Sequence, residues 1–176
     1  MTHELIKRDY IHRGKILDLS VSRFNSEARG EVDIEIVHHN GGAGAIPLFD
    51  DGTIGLVRQW RYPAGRYCLE ISAGRIEAGG TPEATAAREL EEEMGLRAAR
   101  LQKISDFLVA PGYCEERIHV YLASGITESS RRLDDDEEID VVRLGYGEAI
   151  AMIHSGGIDD AKSMIALLLA APLIKP

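Results

Sequence analysis

The sequence predicts an α/β domain, a sheet covered by helices, with a small antiparallel sheet ahead of it. Three observations carry that expectation. Apolar and polar residues alternate through 15–38, short apolar runs alternate with turn signals through the middle of the chain, and helical patterns lie both among those runs and after them.

Each element follows in order. Ile16, Leu17, Leu19 and Val21, then Val32, Ile34 and Ile36, read as an antiparallel pair joined by a turn at Glu27-Ala-Arg-Gly30. Apolar runs at 43–49 and 53–60 flank Asp50-Asp51-Gly52, a hairpin signal. A short strand is expected at 69–73, followed by a glycine-rich loop from Gly74 to Gly80. Thr81 is an N-cap, Pro82 suits the first helical position, and Glu83 is favoured by the helix dipole. The helix should run from Pro82 to Met94 and stop at Gly95. Strands follow at 101–109, 117–123 and 140–144, with a polar loop from Gly125 to Glu138, and two helices close the chain at 147–154 and 159–171.

Composition excludes several function classes. A chain of 176 residues buries a real core without staples. Net charge is −9, with no block of Lys or Arg beyond pairs such as Arg131-Arg132, which excludes a duplex nucleic acid partner. The longest apolar run, Met164 to Ala171, falls short of the ~20 residues that cross a bilayer, so no membrane span is expected. Cys68 and Cys114 show no CxxC spacing and the first ten residues are charged, so the expected compartment is the cytoplasm.

The helix carries the chemistry. Glu89 and Glu93 lie four residues apart and Glu92 three from Glu89, so their carboxylates project from one side. Ala86, Leu90 and Met94 form a neighbouring apolar stripe that anchors the helix to the sheet. A charge run is usually a solvated face. Stacked carboxylates repel, however, unless a cation sits between them, and oxygen ligands suit Mg²⁺ or a similar ion.

From Gly74 the chain reads GRIEAGGTPEATAARELEEEMGL, which resembles the Nudix box, G-x5-E-x7-R-E-U-x-E-E-x-G-U with U apolar. Gly74, Arg88, Glu89, Leu90, Glu92, Glu93, Gly95 and Leu96 match in spacing, and Gly80 stands where the pattern has Glu. The resemblance implies the Nudix fold, an α/β/α sandwich with a mixed sheet, and a loop-helix-loop that binds catalytic Mg²⁺ (or Mn²⁺). Glu89, Glu92, Glu93 and the carbonyl of Ala73 would be the ligands, and Arg88 would orient the glutamates. The departure at Gly80 implies weaker metal binding with the central ligands kept.

Further segments resemble the ADP-ribose pyrophosphatase-like subfamily. Pro111 lies sixteen residues after Gly95 in APGYCEER, LVRQWRYPAGRYCLEISAG is similar to the subfamily's LVRQYRYP...LELPAG segment, and IDDAKSMIALL to its DAKT-containing helix. Pro111 also fits an ordinary Pro-Gly turn. The likeness implies ADP-ribose as substrate, with Glu116 near the scissile phosphates. Arg58, Arg61 and Glu70 are candidates for gripping substrate, since arginine forks match phosphate and a carboxylate can hold ribose hydroxyls. Trp60 is expected in the core. Leu133-Asp-Asp-Asp-Glu-Glu-Ile139 resembles the acidic loop that supplies a catalytic carboxylate, with Glu137 the first choice of base and Asp135 the second. His38 and His39, adjacent on a strand, should face opposite ways, so that one is exposed and neither is a ligand. Cys68 reads as a buried thiol.

The resulting expectation is an N-terminal β-subdomain, 1–40, that exchanges with a second subunit in a homodimer, and a Nudix hydrolase domain, 41–176. The reaction would be hydrolysis of the pyrophosphate of a nucleoside diphosphate derivative, ADP-ribose giving AMP and ribose 5-phosphate. Alternatives are another nucleotide sugar (GDP-mannose, ADP-glucose), a dinucleotide, or a catalytically weak nucleotide-sensing module.

Overall fold

The computed structural model describes residues 2–133 and 138–174. The chain forms two compact units, one running to Gly41 together with Phe107–Arg117, the other comprising Gly42–Asp106 and the chain from Ile118 onward.

The first unit is built on a three-stranded sheet of β1 (His3–Arg13), β2 (Asp18–Ser26) and β3 (Gly30–His38), all antiparallel in the order β1-β2-β3. The turn between β2 and β3 closes with Ser26 opposite Gly30, and Gly30 takes φ 72°, a left-handed conformation open to glycine. The alternation in 15–38 predicts β2 and β3 but not β1. Every residue of β1 is exposed, so its sequence carries no two-residue burial period.

The second unit holds two sheets. β4 (Gly42–Pro47) lies between β7 (Ser72–Arg75), to which it is antiparallel, and β9 (Arg117–Glu128), to which it is parallel. β8 (Leu96–Leu108) completes this mixed sheet in the order β7-β4-β9-β8. The other sheet has the order β10-β5-β6, with β5 (Thr53–Arg61) central between β10 (Ile139–Gly145) and β6 (Arg66–Glu70), all antiparallel. The helices are α1 (Pro82–Met94), α2 (Tyr146–Ser155) and α3 (Ala161–Ala170). Mixed strands and helices make this an α/β fold.

Two expectations are corrected. The Asp50-Asp51-Gly52 turn forms, with Gly52 N–H donating to Phe49 O at 2.9 Å, but its flanking strands do not make a hairpin. A single bridge between Leu48 and Ile54 links them before β4 and β5 part into different sheets. Turn chemistry fixes where the chain reverses. It does not fix partners when both runs are buried on both faces, as Ala43, Ala45 and Ile46 are, and Ile54, Leu56 and Val57. The expected strand at 69–73 is two strands, β6 and β7, parted at Ile71 between the two sheets.

The core that matters for function surrounds α1. Ala86, Leu90 and Met94 pack with Ala43 and Ala45 of β4, Val57 of β5, Tyr121 and Ala123 of β9 and Ile139 of β10. Both sheets therefore close on the apolar stripe of one helix. Among the described residues no helix is long and apolar enough to cross a membrane.

Candidate active site

The ends of α1 set the rotation at which its side chains leave it. Thr81 Oγ1 accepts from Ala84 N–H at 3.2 Å, Pro82 occupies the first turn, and Gly95 closes the helix at φ 66° with its N–H on the carbonyls of Glu91 and Leu90. With Ala86 and Leu90 fully buried, Glu89 and Glu93 fall one step round the helix, at the edge of the core. They are 8% and 3% exposed. Two carboxylates buried side by side are costly unless compensated.

Compensation comes from Arg88 and from the main chain of β7. Arg88 Nη2 donates to Glu89 Oε1 at 2.7 Å, and its Nη1 donates to Glu92, so one guanidinium spans two of the glutamates. Burial would lower the Arg88 pKa, but the charges of Glu89 and Glu92 outweigh it and the net shift is upward. Ala73 N–H donates to Glu93 Oε2 at 3.2 Å, tying the helix to β7. Arg131 donates to the carbonyls of Glu93 and Ile139, tying the last turn of α1 to β10.

Gly74 makes room for Glu89. A Cβ on Gly74 would stand 1.9 Å from Glu89 Oε1 and 2.2 Å from its Cδ, so the carboxylate lies in space that any other residue would fill. The metal-donor atoms that the side chains offer here are oxygens, those of the Glu89 and Glu93 carboxylates. That chemistry fits a hard divalent cation. Among the described residues no three acidic, imidazole or thiol side chains stand together as a ready ligand set. Mg²⁺ ordinarily uses one or two carboxylates and takes its other oxygens from water and phosphate.

Gly80 tests the departure from the box. It follows a tight turn in which its N–H donates to Glu77 O at 2.9 Å, and a Cβ there would meet Glu77 O at 3.2 Å. The backbone must give by a few tenths of an ångström to accept a side chain, and nothing else obstructs it. Gly80→Glu is therefore expected to fold and to lower the Mg²⁺ concentration for half-maximal rate in a metal titration. An unchanged requirement would show that this position does not tune the metal.

A second charged cluster lies in the same unit. Glu70, 2% exposed at the end of β6, accepts from Arg61 Nε at 2.7 Å and Nη2 at 2.8 Å, and from Lys162 of α3. Lys162 also donates to Asp160 at 2.9 Å, whose carboxylate caps α3 through Ser163 N–H at 3.0 Å. The bond to Glu70 raises the Arg61 pKa against the opposing effect of burial, with a smaller contribution from the Glu93 charge. Arg61, Glu70 and Lys162 line a cavity of about 380 Å³.

Burial pushes the Glu70 pKa up, but Arg61 and Lys162 outweigh it and hold it below its ordinary 4.5. A depressed carboxylate adds stability above its unfolded pKa and loses it as pH falls through the folded value. Lowering the pH from about 6 to about 3 should therefore shift the urea midpoint more in the wild type than in Glu70→Gln. Equal shifts would remove Glu70 from the acid response.

Arg58 does not join this cluster. Arg58, three positions before Arg61 on β5, points to the opposite face, stacks 3.9 Å from the centre of the Tyr67 ring and pairs with Asp140 at 3.1 Å. Trp60, expected in the core, is only partly buried. It packs edge-on against Tyr67 and Tyr62, with Tyr62 82% exposed, because strand alternation puts it on the Arg58 face. Pro111 and Glu116 lie in the first unit. Pro111 opens a turn closed by Tyr113 N–H and Cys114 N–H on Ala110 O at 3.1 and 2.9 Å. Glu137 and Asp135 lie outside the described residues.

Sequence reasoning missed Lys162 and Arg131, whose roles depend on tertiary contacts. It also misjudged the histidine pair, of which neither side chain is exposed. His38 and His39 each retain 13% exposure and each faces a glutamate, because β3 ends at His38 and alternation no longer governs His39.

Residues 38–166 match the NUDIX domain family. The chain is 37% identical to the ADP-ribose pyrophosphatase of Bacillus subtilis (strain 168), over 95% of this chain and 91% of that one. It is 35% identical to the methanol dehydrogenase activator of Bacillus methanolicus, over 92% and 89%. A crystal structure described as an ADP compounds hydrolase superposes with a TM-score of 0.85 at 19% identity, covering 98% of this chain and 94% of that one, a likeness of fold.

Proposed function

The chain belongs to the Nudix family, and from that premise we propose that it hydrolyses the pyrophosphate bond of ADP-ribose to give AMP and ribose 5-phosphate. The observation that carries this reading is the buried Glu89 and Glu93 pair, with Glu89 lodged against Gly74 and held by Arg88, and Glu93 held by the Ala73 N–H. The name of the B. subtilis relative supports the choice of substrate.

Glu89, Glu93 and the Ala73 carbonyl would hold a divalent ion, Mg²⁺ or Mn²⁺, with Glu92 beside them. Such an ion supplies Lewis acidity, drawing charge from the pyrophosphate oxygens and making water a better nucleophile at neutral pH. Arg88 keeps Glu89 and Glu92 in place while the charge between them changes. Arg61 and Glu70, already locked together, offer a guanidinium edge to phosphate with little further loss of side-chain freedom. We assign Pro111 and Glu116 to substrate contact and Glu137 to proton removal from the attacking water.

The enzyme would work as a homodimer in a reducing cytoplasm. Leu5, Ile6 and Ile11 of β1 are 44%, 50% and 63% exposed, apolar surface that a second copy of the N-terminal sheet would cover, and both cysteines are free thiols.

The test is a panel of ADP-ribose, GDP-mannose, ADP-glucose, NADH and diadenosine polyphosphates, with products resolved by anion-exchange chromatography. Preferred cleavage of ADP-ribose to AMP supports the proposal. Faster cleavage of another member moves the substrate to that compound, and binding without cleavage makes the protein a nucleotide sensor.

A further inference from the structure

A line of hydrogen bonds crosses the N-terminal sheet and ends on the segment Phe107–Arg117. Arg8 Nε of β1 donates to Ser22 Oγ at 3.2 Å, the Ser22 and Ser20 hydroxyls of β2 stand 3.1 Å apart, and Ser20 Oγ lies 2.8 Å from His38 Nε2 of β3. His38 Nδ1 in turn lies 2.7 Å from Glu115 Oε2. A carboxylate only accepts, so Nδ1 carries the proton, and in the neutral ring Nε2 accepts from Ser20. Ser20 then accepts from Ser22, and Ser22 from Arg8. Every donor in the line finds an acceptor in one direction only. Ser20 and Ser22 are fully buried, where an unmatched hydroxyl would be costly.

The main chain is tied at the same place. Val37 N–H donates to Tyr113 O at 2.8 Å and Glu115 N–H donates to Val37 O at 3.0 Å. Beyond the end of β3, His39 Nδ1 accepts from Gly41 N–H at 3.1 Å and stands 3.5 Å from Glu116 Oε1. Consecutive histidines thus face consecutive glutamates.

We propose that His38 is a positioning residue for catalysis: through Glu115 it fixes the segment that carries Pro111 and Glu116, and so sets where the Glu116 carboxylate is held. The inference rests on the assignment of Glu116 to substrate contact made above. A geometric error of about 1 Å in a group that meets substrate can cost on the order of 100-fold in rate.

The test compares wild type, His38→Ala, Glu115→Ala, the double variant and His38→Gln. Two readouts are used: amide hydrogen exchange, and kcat and KM on whichever panel substrate the wild type cleaves. His38→Ala should speed exchange at Tyr113, Cys114 and Glu115 about tenfold, the scale of one lost hydrogen bond. It should lower kcat by about 10- to 100-fold with KM little changed. The double variant should be no worse than the worse single one, since both act through one bond. His38→Gln keeps a donor for Glu115 and an acceptor for Ser20, and should restore part of the rate. Unchanged exchange in His38→Ala overturns the clasp whatever the substrate, while faster exchange with wild-type kcat overturns the positioning role. A wild type that cleaves no panel member defeats the proposed activity and the catalytic role with it, while the exchange result still decides the clasp.

Discussion

Glu93→Gln is expected to lower kcat by more than about 100-fold at saturating Mg²⁺, above the range for losing an outer partner of a metal ligand. The substitution keeps side-chain length and leaves an amide oxygen able to accept from Ala73 N–H, so the bond from β7 to α1 survives. Arg131 holds the Glu93 main-chain carbonyl, which the substitution does not touch. The change is therefore one of charge at a 3% exposed position. Steady-state kinetics over a Mg²⁺ series, with a melting curve as control, checks it. Near-wild-type kcat in a folded variant would remove Glu93 from the metal site.

Gly74→Ala is the second large effect, and its cause is steric. The new methyl would begin 1.9 Å from Glu89 Oε1, so one of them must move. The Gly74 backbone is held in β7, opposite Ala43 of β4. Glu89 is the end of a flexible side chain, and it yields. Moving it breaks the 2.7 Å bond from Arg88 and takes one ligand out of place while the sheet and helix remain. Activity should fall on the order of 100-fold, with a higher Mg²⁺ requirement and a folded circular dichroism spectrum. A variant with wild-type metal dependence would mean that Glu89 need not stand where this structure puts it.

Much of this site was legible in the sequence because its geometry is local. Thr81, Pro82 and Gly95 bound α1 as expected, and a helix of known ends fixes which glutamates share a side. What was not legible depended on distant partners. Arg58 and Arg61 look alike as substrate arginines, yet three positions along a strand send them to opposite faces, one to Tyr67 and one to Glu70. Lys162 joins Glu70 only because α3 returns to β6. In the fold, β1 carries no apolar alternation, and the Asp50-Asp51-Gly52 turn concealed a switch between sheets. His38 was read by strand alternation alone, which says nothing of a segment 77 residues away.

The most direct test of the central claim is AMP formation from ADP-ribose by one enzyme preparation, first stripped of metal with a chelator and then supplied with Mg²⁺. The acidic face of α1 predicts silence after stripping and restored AMP and ribose 5-phosphate on addition. Turnover that survives the chelator, or ADP-ribose binding that Mg²⁺ never converts to cleavage, would contradict it.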